Sequence, residues 1–217
     1  LVIHAEHGGG NNSSFACRVL SSSGTDSYSA ISAAIGSLKG PRHGGANAKV
    51  MAMMENIESN ISDWTDEDEV RDYIEKILRR EAFDGAGLVY GMGHAVYTYS
   101  DPRCIILKER AKRLAVKNPE WEKEFNLYDM IERLTPESFL RVKNNYKVMC
   151  ANVDMYSGFV YKMLGIAPEM YTPIFAIARI AGWCAHRLEE TIGCSRIIRP
   201  AYKSIVSKKS YIPIDNR

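Results

Sequence analysis

Gly91-Met92-Gly93-His94-Ala95-Val96-Tyr97-Thr98-Tyr99-Ser100-Asp101-Pro102-Arg103 is the most informative stretch of the chain. It opens on glycines, which break regular structure. It closes on a capping aspartate followed by proline, whose fixed φ suits the first position of a helix. A helix is therefore predicted over roughly 102–117. The same punctuation recurs on both sides. Upstream, residues 13–22 carry Phe15, Ala16, Val19 and Leu20 at helical spacing. Asp26 caps a segment 26–39 with Tyr28, Ile31, Ile35 and Leu38 on one face, ended by Gly40-Pro41. Residues 46–60 hold Val50, Met51, Met54 and Ile57. Thr65 and Asp68 have capping-box spacing ahead of Val70, Ile74, Ile77 and Leu78. Downstream, a helix is predicted over 120–134 (Trp121, Phe125, Tyr128, Ile131), with a separate helical turn opened by Thr135-Pro136. Residues 152–164 bury Tyr156, Phe159, Val160 and Met163 before Gly165. A long helix from Thr172-Pro173 to Glu190 is apolar on most sides and reads as buried. The tail from Ile197 is mixed. No apolar/polar alternation runs beyond about five residues, so strands are not expected and the fold class is all-α.

Composition bounds the function classes. The chain has 217 residues, with 28 Lys+Arg against 26 Asp+Glu, for a net charge of +2. That balance argues against a nucleic-acid or membrane-surface binder. At 46% hydrophobic and 25% charged it is an ordinary globular chain of one or two domains. No apolar run nears the ~20 residues of a membrane helix. The five cysteines, Cys17, Cys104, Cys150, Cys184 and Cys194, are odd in number and form no C-x-x-C. They read as scattered reduced thiols of a cytoplasmic protein. The opening Leu1-Val2-Ile3-His4 has no leader-like pattern and reads as a cut inside a longer protein.

The five histidines carry the best chemical signal. His7 precedes Gly8-Gly9-Gly10-Asn11. His43 lies in Gly40-Pro41-Arg42-His43-Gly44-Gly45-Ala46-Asn47. His94 follows Gly91-Met92-Gly93. Glycines around an imidazole let backbone or ligand approach closely; turns in which the histidine merely caps a helix would look the same. Asp154, in Asn152-Val153-Asp154, is either a first-turn helix acid or a carboxylate base at a pocket edge. Arg179 interrupts the apolar run 175–181. A guanidinium there needs an anion or strong acceptors, unless it snorkels to the surface. Together with Arg103 it suits a small di- or tricarboxylate. Rival motifs fail on spacing. His4-Ala5-Glu6-His7 is not H-E-x-x-H, no P-loop or G-x-S-x-G occurs, and Gly91-Met92-Gly93 lacks the later glycine of a dinucleotide fingerprint. No metal site is expected.

Six ordered segments then identify a resemblance: IHAEHGGGN at 3–11, GSLKGPRHGGAN at 36–47, the 91–103 stretch, NVDMYSG at 152–158, FAIARIAGW at 175–183 and RIIRP at 196–200. The chain resembles the C-terminal portion of the citrate synthases, from residue 1 to about 203. The resemblance implies a homodimeric all-α fold with a complete small domain (45–165) and two incomplete large-domain parts (1–44 and 166–217), the front of the family chain being absent. It implies the condensation of acetyl-CoA with oxaloacetate and hydrolysis of citryl-CoA, with no cofactor beyond the thioester substrate. The alternatives are 2-methylcitrate synthesis from propionyl-CoA, or a fragment that folds or binds ligand without turnover.

The resemblance also implies roles. His43 would hydrogen-bond the thioester carbonyl, Asp154 would take the methyl proton and His94 would polarise the keto group. His7, Arg103, Arg179 and Arg199 would hold oxaloacetate or citrate, with Arg199 supplied by the neighbouring subunit. Leu88, Val89, Gly91, Gly93 and Asn152 would meet CoA. Three positions depart from the family pattern: Gly8 stands for an acid, Thr98 for a basic residue near CoA phosphate, and Ala151 for a proline.

Overall fold

The computed structural model describes residues 1–94, 97–146, 148–193, 196–201, 203 and 205–216. Ala95, Val96 and Cys194, named above, lie outside the described residues. Eight α-helices are present among those described: α1 (Asn12–Ser22), α2 (Ser27–Leu38), α3 (Ala46–Asn60), α4 (Glu67–Arg79), α5 (Pro102–Ala115), α6 (Pro119–Lys143), α7 (Asp154–Met163) and α8 (Tyr171–Gly193). Among the described residues there is no strand, only one antiparallel bridge between Met92 and Ala151. The expected all-α class is observed. None of these helices is long and apolar enough to cross a membrane.

Local chemistry explains most boundaries. Asp26 caps α2 by accepting from Ser29 N, and Asp101 caps α5, where Pro102 takes the first position. At α4 the cap is Asp66, which accepts from Asp68 N and Glu69 N, so the helix starts one residue later than the Thr65/Asp68 pattern suggests. Asp66 Oδ1 accepts from both amides, while Thr65 is engaged with Asp63. The break expected at Thr135-Pro136 is absent, and α6 runs through Pro136. Proline removes one ladder bond. Thr135 donates its hydroxyl to the Ile131 carbonyl at 2.6 Å, and buried Leu134 and Ser138 hold both sides of the proline against the core.

Two hydrophobic clusters organise the helices. The larger joins α3 to α7 around Val50, Met54, Ile74, Tyr128, Tyr156 and Phe159, as their periodicity predicted. The smaller joins α1, α2 and α8 around Cys17, Ala30, Ala34, Leu38 and Trp183. Here the expected faces are buried only in part: Leu38 is in the core, with Leu20 and Ile31 packed against it. Phe15 is 48% and Tyr28 87% exposed, while Ser13, Ser14, Ala30 and Ala34 are buried. Small side chains let the axes approach closely, so α1 and α2 pack through their smallest stripes. The long helix α8 is likewise buried along one side only. Ala178, Arg179, Gly182 and Trp183 face inward, and Ile177, Leu188 and Ile192 face out. Cys17, Cys104, Cys150 and Cys184 are free thiols.

The chain's first residues are seated on α8 by one close approach. Gly182 N donates to Ala5 O at 3.1 Å, and a β-carbon on Gly182 would collide with Ala5 O and the Glu6 carboxylate. Gly182→Ala should therefore lower the unfolding free energy by about 1–3 kcal/mol, the usual cost of forcing extra volume into a packed contact. Urea titration reads this. An unchanged midpoint would mean that the 5–6 segment is not held there.

Candidate active site

A cavity of about 590 Å³ opens where the two clusters meet. His7, His43 and Phe175 reach it from the smaller cluster, and His94, Arg103, Asn152 and Asp154 from the larger.

His43 stands in the turn between α2 and α3. Gly44 N donates to Leu38 O at 2.9 Å, and Thr172 at the start of α8 donates its hydroxyl to Gly44 O at 2.9 Å. The His43 ring meets a buried relay. Arg179 Nη1 donates to Asn11 Oδ1 (3.3 Å), which also accepts the Ser13 hydroxyl (2.9 Å). Trp183 Nε1 donates to Ser13 Oγ (3.3 Å), and His43 Nε2 lies 3.0 Å from the same oxygen. Ser13 has one proton, and Asn11 takes it. His43 must then donate through Nε2, which places the proton of its neutral ring there.

His94 belongs to a loop stitched to the segment before α7. Gly93 N donates to Cys150 O (2.7 Å), Asn152 N to Gly91 O (2.8 Å) and Asn152 Nδ2 to Gly93 O (2.9 Å). Gly91 makes this possible: its φ is +83°, and a β-carbon there would press on Met155. Tyr97 N donates to His94 Nδ1 at 3.0 Å, and Arg103 Nη2 lies 3.3 Å from Nε2. The His7 ring stacks on His94, with centroids 5.7 Å apart. His7 is held from behind: Glu6 accepts from His7 N and Gly8 N, and pairs with His186 at 2.7 Å.

Asp154 is the first residue of α7 and makes no capping bond; the preceding position is Val153. Of its two sequence readings, the structure favours the pocket-edge carboxylate. Burial pushes its pKa up to about 6, with Arg103 opposing and Asp101 adding to the rise. The imidazoles shift the other way. Burial, then the Arg179 charge, lowers His43; burial lowers His94, with Asp101 opposing and Arg103 assisting; burial, then Arg103, lowers His7. The cavity therefore holds neutral imidazoles, cationic guanidinium and a reluctant carboxylate.

Arg179 lies behind the cavity wall with no exposed surface. It does not snorkel. Nε donates to His4 O, Phe175 covers the guanidinium at 4.8 Å, and Nη2 has no hydrogen-bond partner among the described residues. A second cavity of about 180 Å³, lined by Leu88, Val89 and Gly91, shares Ala46, Asn152 and Asp154 with the first. Gly93 lines the larger one. Arg199 is exposed and lies outside both. Among the described residues no group of three His, Cys, Asp or Glu could hold a metal ion. Sequence reasoning gave no role to Ser13, Phe175 or Trp183. Only their nearness to histidine- and arginine-bearing motifs hinted at one.

A family profile described as the C-terminal domain of citrate synthase matches residues 1–201. The chain belongs to the citrate synthase family. It is 38% identical to the citrate synthase of Synechocystis sp. over 218 aligned residues, covering all of this chain and 50% of that protein. It is 36% identical to the 2-methylcitrate synthase of Shewanella oneidensis, again across the whole chain and 52% of that protein. Among solved structures it matches the citrate synthase of the archaeon Thermoplasma acidophilum, determined as a ternary complex with carboxymethyl coenzyme A and oxaloacetate. That match has a TM-score of 0.75 and 30% identity, and covers 99% of this chain and 53% of that one. The chain thus spans about half the length of the citrate synthases it matches.

Two measurements test this electrostatic picture. Asp154 has a folded-state pKa raised above its unfolded value, so its contribution to stability is intact below about pH 4 and is lost as pH rises through 6. Asp154→Asn should therefore raise the thermal midpoint above pH 6 and leave it unchanged below about pH 4. Nitrogen-15 NMR of the ligand-free protein should find His43 neutral at pH 7 with its proton on Nε2; a protonated Nδ1 would contradict the Ser13 relay.

Proposed function

We propose that this chain carries the catalytic half of a cytoplasmic, homodimeric citrate synthase that condenses acetyl-CoA with oxaloacetate and hydrolyses citryl-CoA. The carrying observation is the convergence of His43, His94 and Asp154 on one cavity, with the carboxylate raised to about 6 and both imidazoles lowered. The Thermoplasma relative, bound to a CoA analogue and oxaloacetate, supports the substrate pair.

In this reading the thioester enters along Leu88, Val89, Gly91 and Asn152, which leads to Asp154. Asp154 removes a methyl proton while a histidine donor meets the developing enolate oxygen. One such aimed donor is worth about 2.7–4 kcal/mol. His43 can serve if the Ser13 hydroxyl swings from Asn11 to Nε2, which puts the ring proton on Nδ1. The enol carbon then forms its bond to the keto carbon. His94 polarises that keto oxygen as a neutral donor. Arg103 and His7 supply donors for the carboxylates from the cavity lining, Arg179 adds its charge from behind the wall, and Arg199 is added by the partner subunit. Water cleaves the resulting citryl thioester. The larger cluster, Val50 to Met163, corresponds to the small domain of this reading, and its closure would exclude water from the enol.

The test is release of CoA thiol by the full-length protein given acetyl-CoA and oxaloacetate. Asp154→Asn should reduce kcat by about 10²-fold or more, and activity should fall as pH drops through 6, where the carboxylate takes up its proton. Absence of thiol release would reject the assignment, and faster turnover of propionyl-CoA would move it to the methylcitrate reaction.

A further inference from the structure

We propose that Asp101 is the positioning residue of this site: a single buried carboxylate that aims Arg103, faces His94 and fixes the backbone from which Asp154 projects. Helix capping needs one acceptor bond. Asp101 makes four. Oδ1 accepts from Arg103 N at 3.0 Å and from Arg103 Nε at 3.0 Å. Oδ2 accepts from Arg103 Nη2 at 2.8 Å and from Val153 N at 3.1 Å. Four donors use the full acceptor capacity of an ionised carboxylate. The side chain is 1% exposed, so water cannot replace any of them. His94 Nε2 stands 3.9 Å from Oδ2, the third element of the site within reach of the same group.

This arrangement couples parts that are far apart in sequence. The bidentate grip on Arg103 leaves its guanidinium one orientation, with Nη2 at His94. The bond to Val153 N holds the residue directly before Asp154. A shift of Asp101 would move the cation, the electrophilic imidazole and the base together. Misplacement on the scale of 1 Å costs about 10²-fold in rate.

The experiment separates capping from positioning. Serine is a good N-cap but carries no charge and cannot take four donors. Asp101→Ser and Asp101→Asn in the full-length protein are compared with wild type by three readouts: kcat for CoA thiol release, the NMR titration of His94, and hydrogen exchange at Val153 N. The expected result is a folded Asp101→Ser protein with kcat reduced about 10²-fold, His94 titrating lower because a carboxylate beside it is gone, and Val153 N exchanging faster. Wild-type values for all three in Asp101→Ser would overturn the proposal and reduce Asp101 to a helix cap. Unfolding of both variants would also count against it, by assigning Asp101 to stability. The kinetic readout rests on the synthase reading. If the wild type releases no thiol, that reading fails, while the titration and exchange readouts still decide the role of Asp101.

Discussion

A guanidinium with no exposed surface, on a helix otherwise rich in isoleucine and alanine, is the constraint around which the smaller cluster is arranged. Removing Arg179 from water is costly unless acceptors meet it. Two come from the chain's first residues: the His4 carbonyl and the Asn11 side chain. To deliver them, the 4–11 segment must lie on α8, and Gly182 provides the close approach that lets it do so. Asn11 in turn orients Ser13, and Ser13 orients His43. One buried charge thus reaches a catalytic candidate through three hydrogen bonds, while its Nη2 has no hydrogen-bond partner among the described residues.

The larger cluster answers with the opposite charge. Asp101 is buried as completely as Arg179, yet its donors are all internal, so it organises the site without asking for a ligand. The contrast defines the cavity chemically. The carboxylate is saturated by internal donors, whereas the guanidinium keeps Nη2 without a partner among the described residues. Burial, assisted by the guanidinium charges, lowers the imidazoles toward their neutral forms, and burial raises Asp154 toward the range useful for a general base. Each shift follows from placing charges in a low-dielectric wall around one space.

Much of the site was legible because its parts lie in short segments whose composition makes little sense as packing alone. Glycines beside His7, His43 and His94, and an arginine inside an apolar helix, conflict with a simple core. Those conflicts pointed at the residues the fold brings together. The relay from Asn11 through Ser13 to His43 was not legible, since serine in a helix's first turn has an ordinary capping explanation. The saturation of Asp101 was hidden for the same reason: its local role as an N-cap is genuine and sufficient.

By itself the sequence determined the all-α class, most helix limits and the core stripe of α3 to α7, because apolar spacing and capping chemistry act within a few residues. It also determined the family, through six ordered motifs. Only the tertiary structure decided that α1 and α2 bury their small residues rather than Phe15 and Tyr28, that Pro136 is carried inside a helix, and that Asp154 faces a cavity instead of capping. Those outcomes depend on which neighbour a face meets, and a helical period specifies a stripe without naming its partner. The protonation states of the site were decided there too, because a pKa answers to burial and to charges that the chain brings near only when folded.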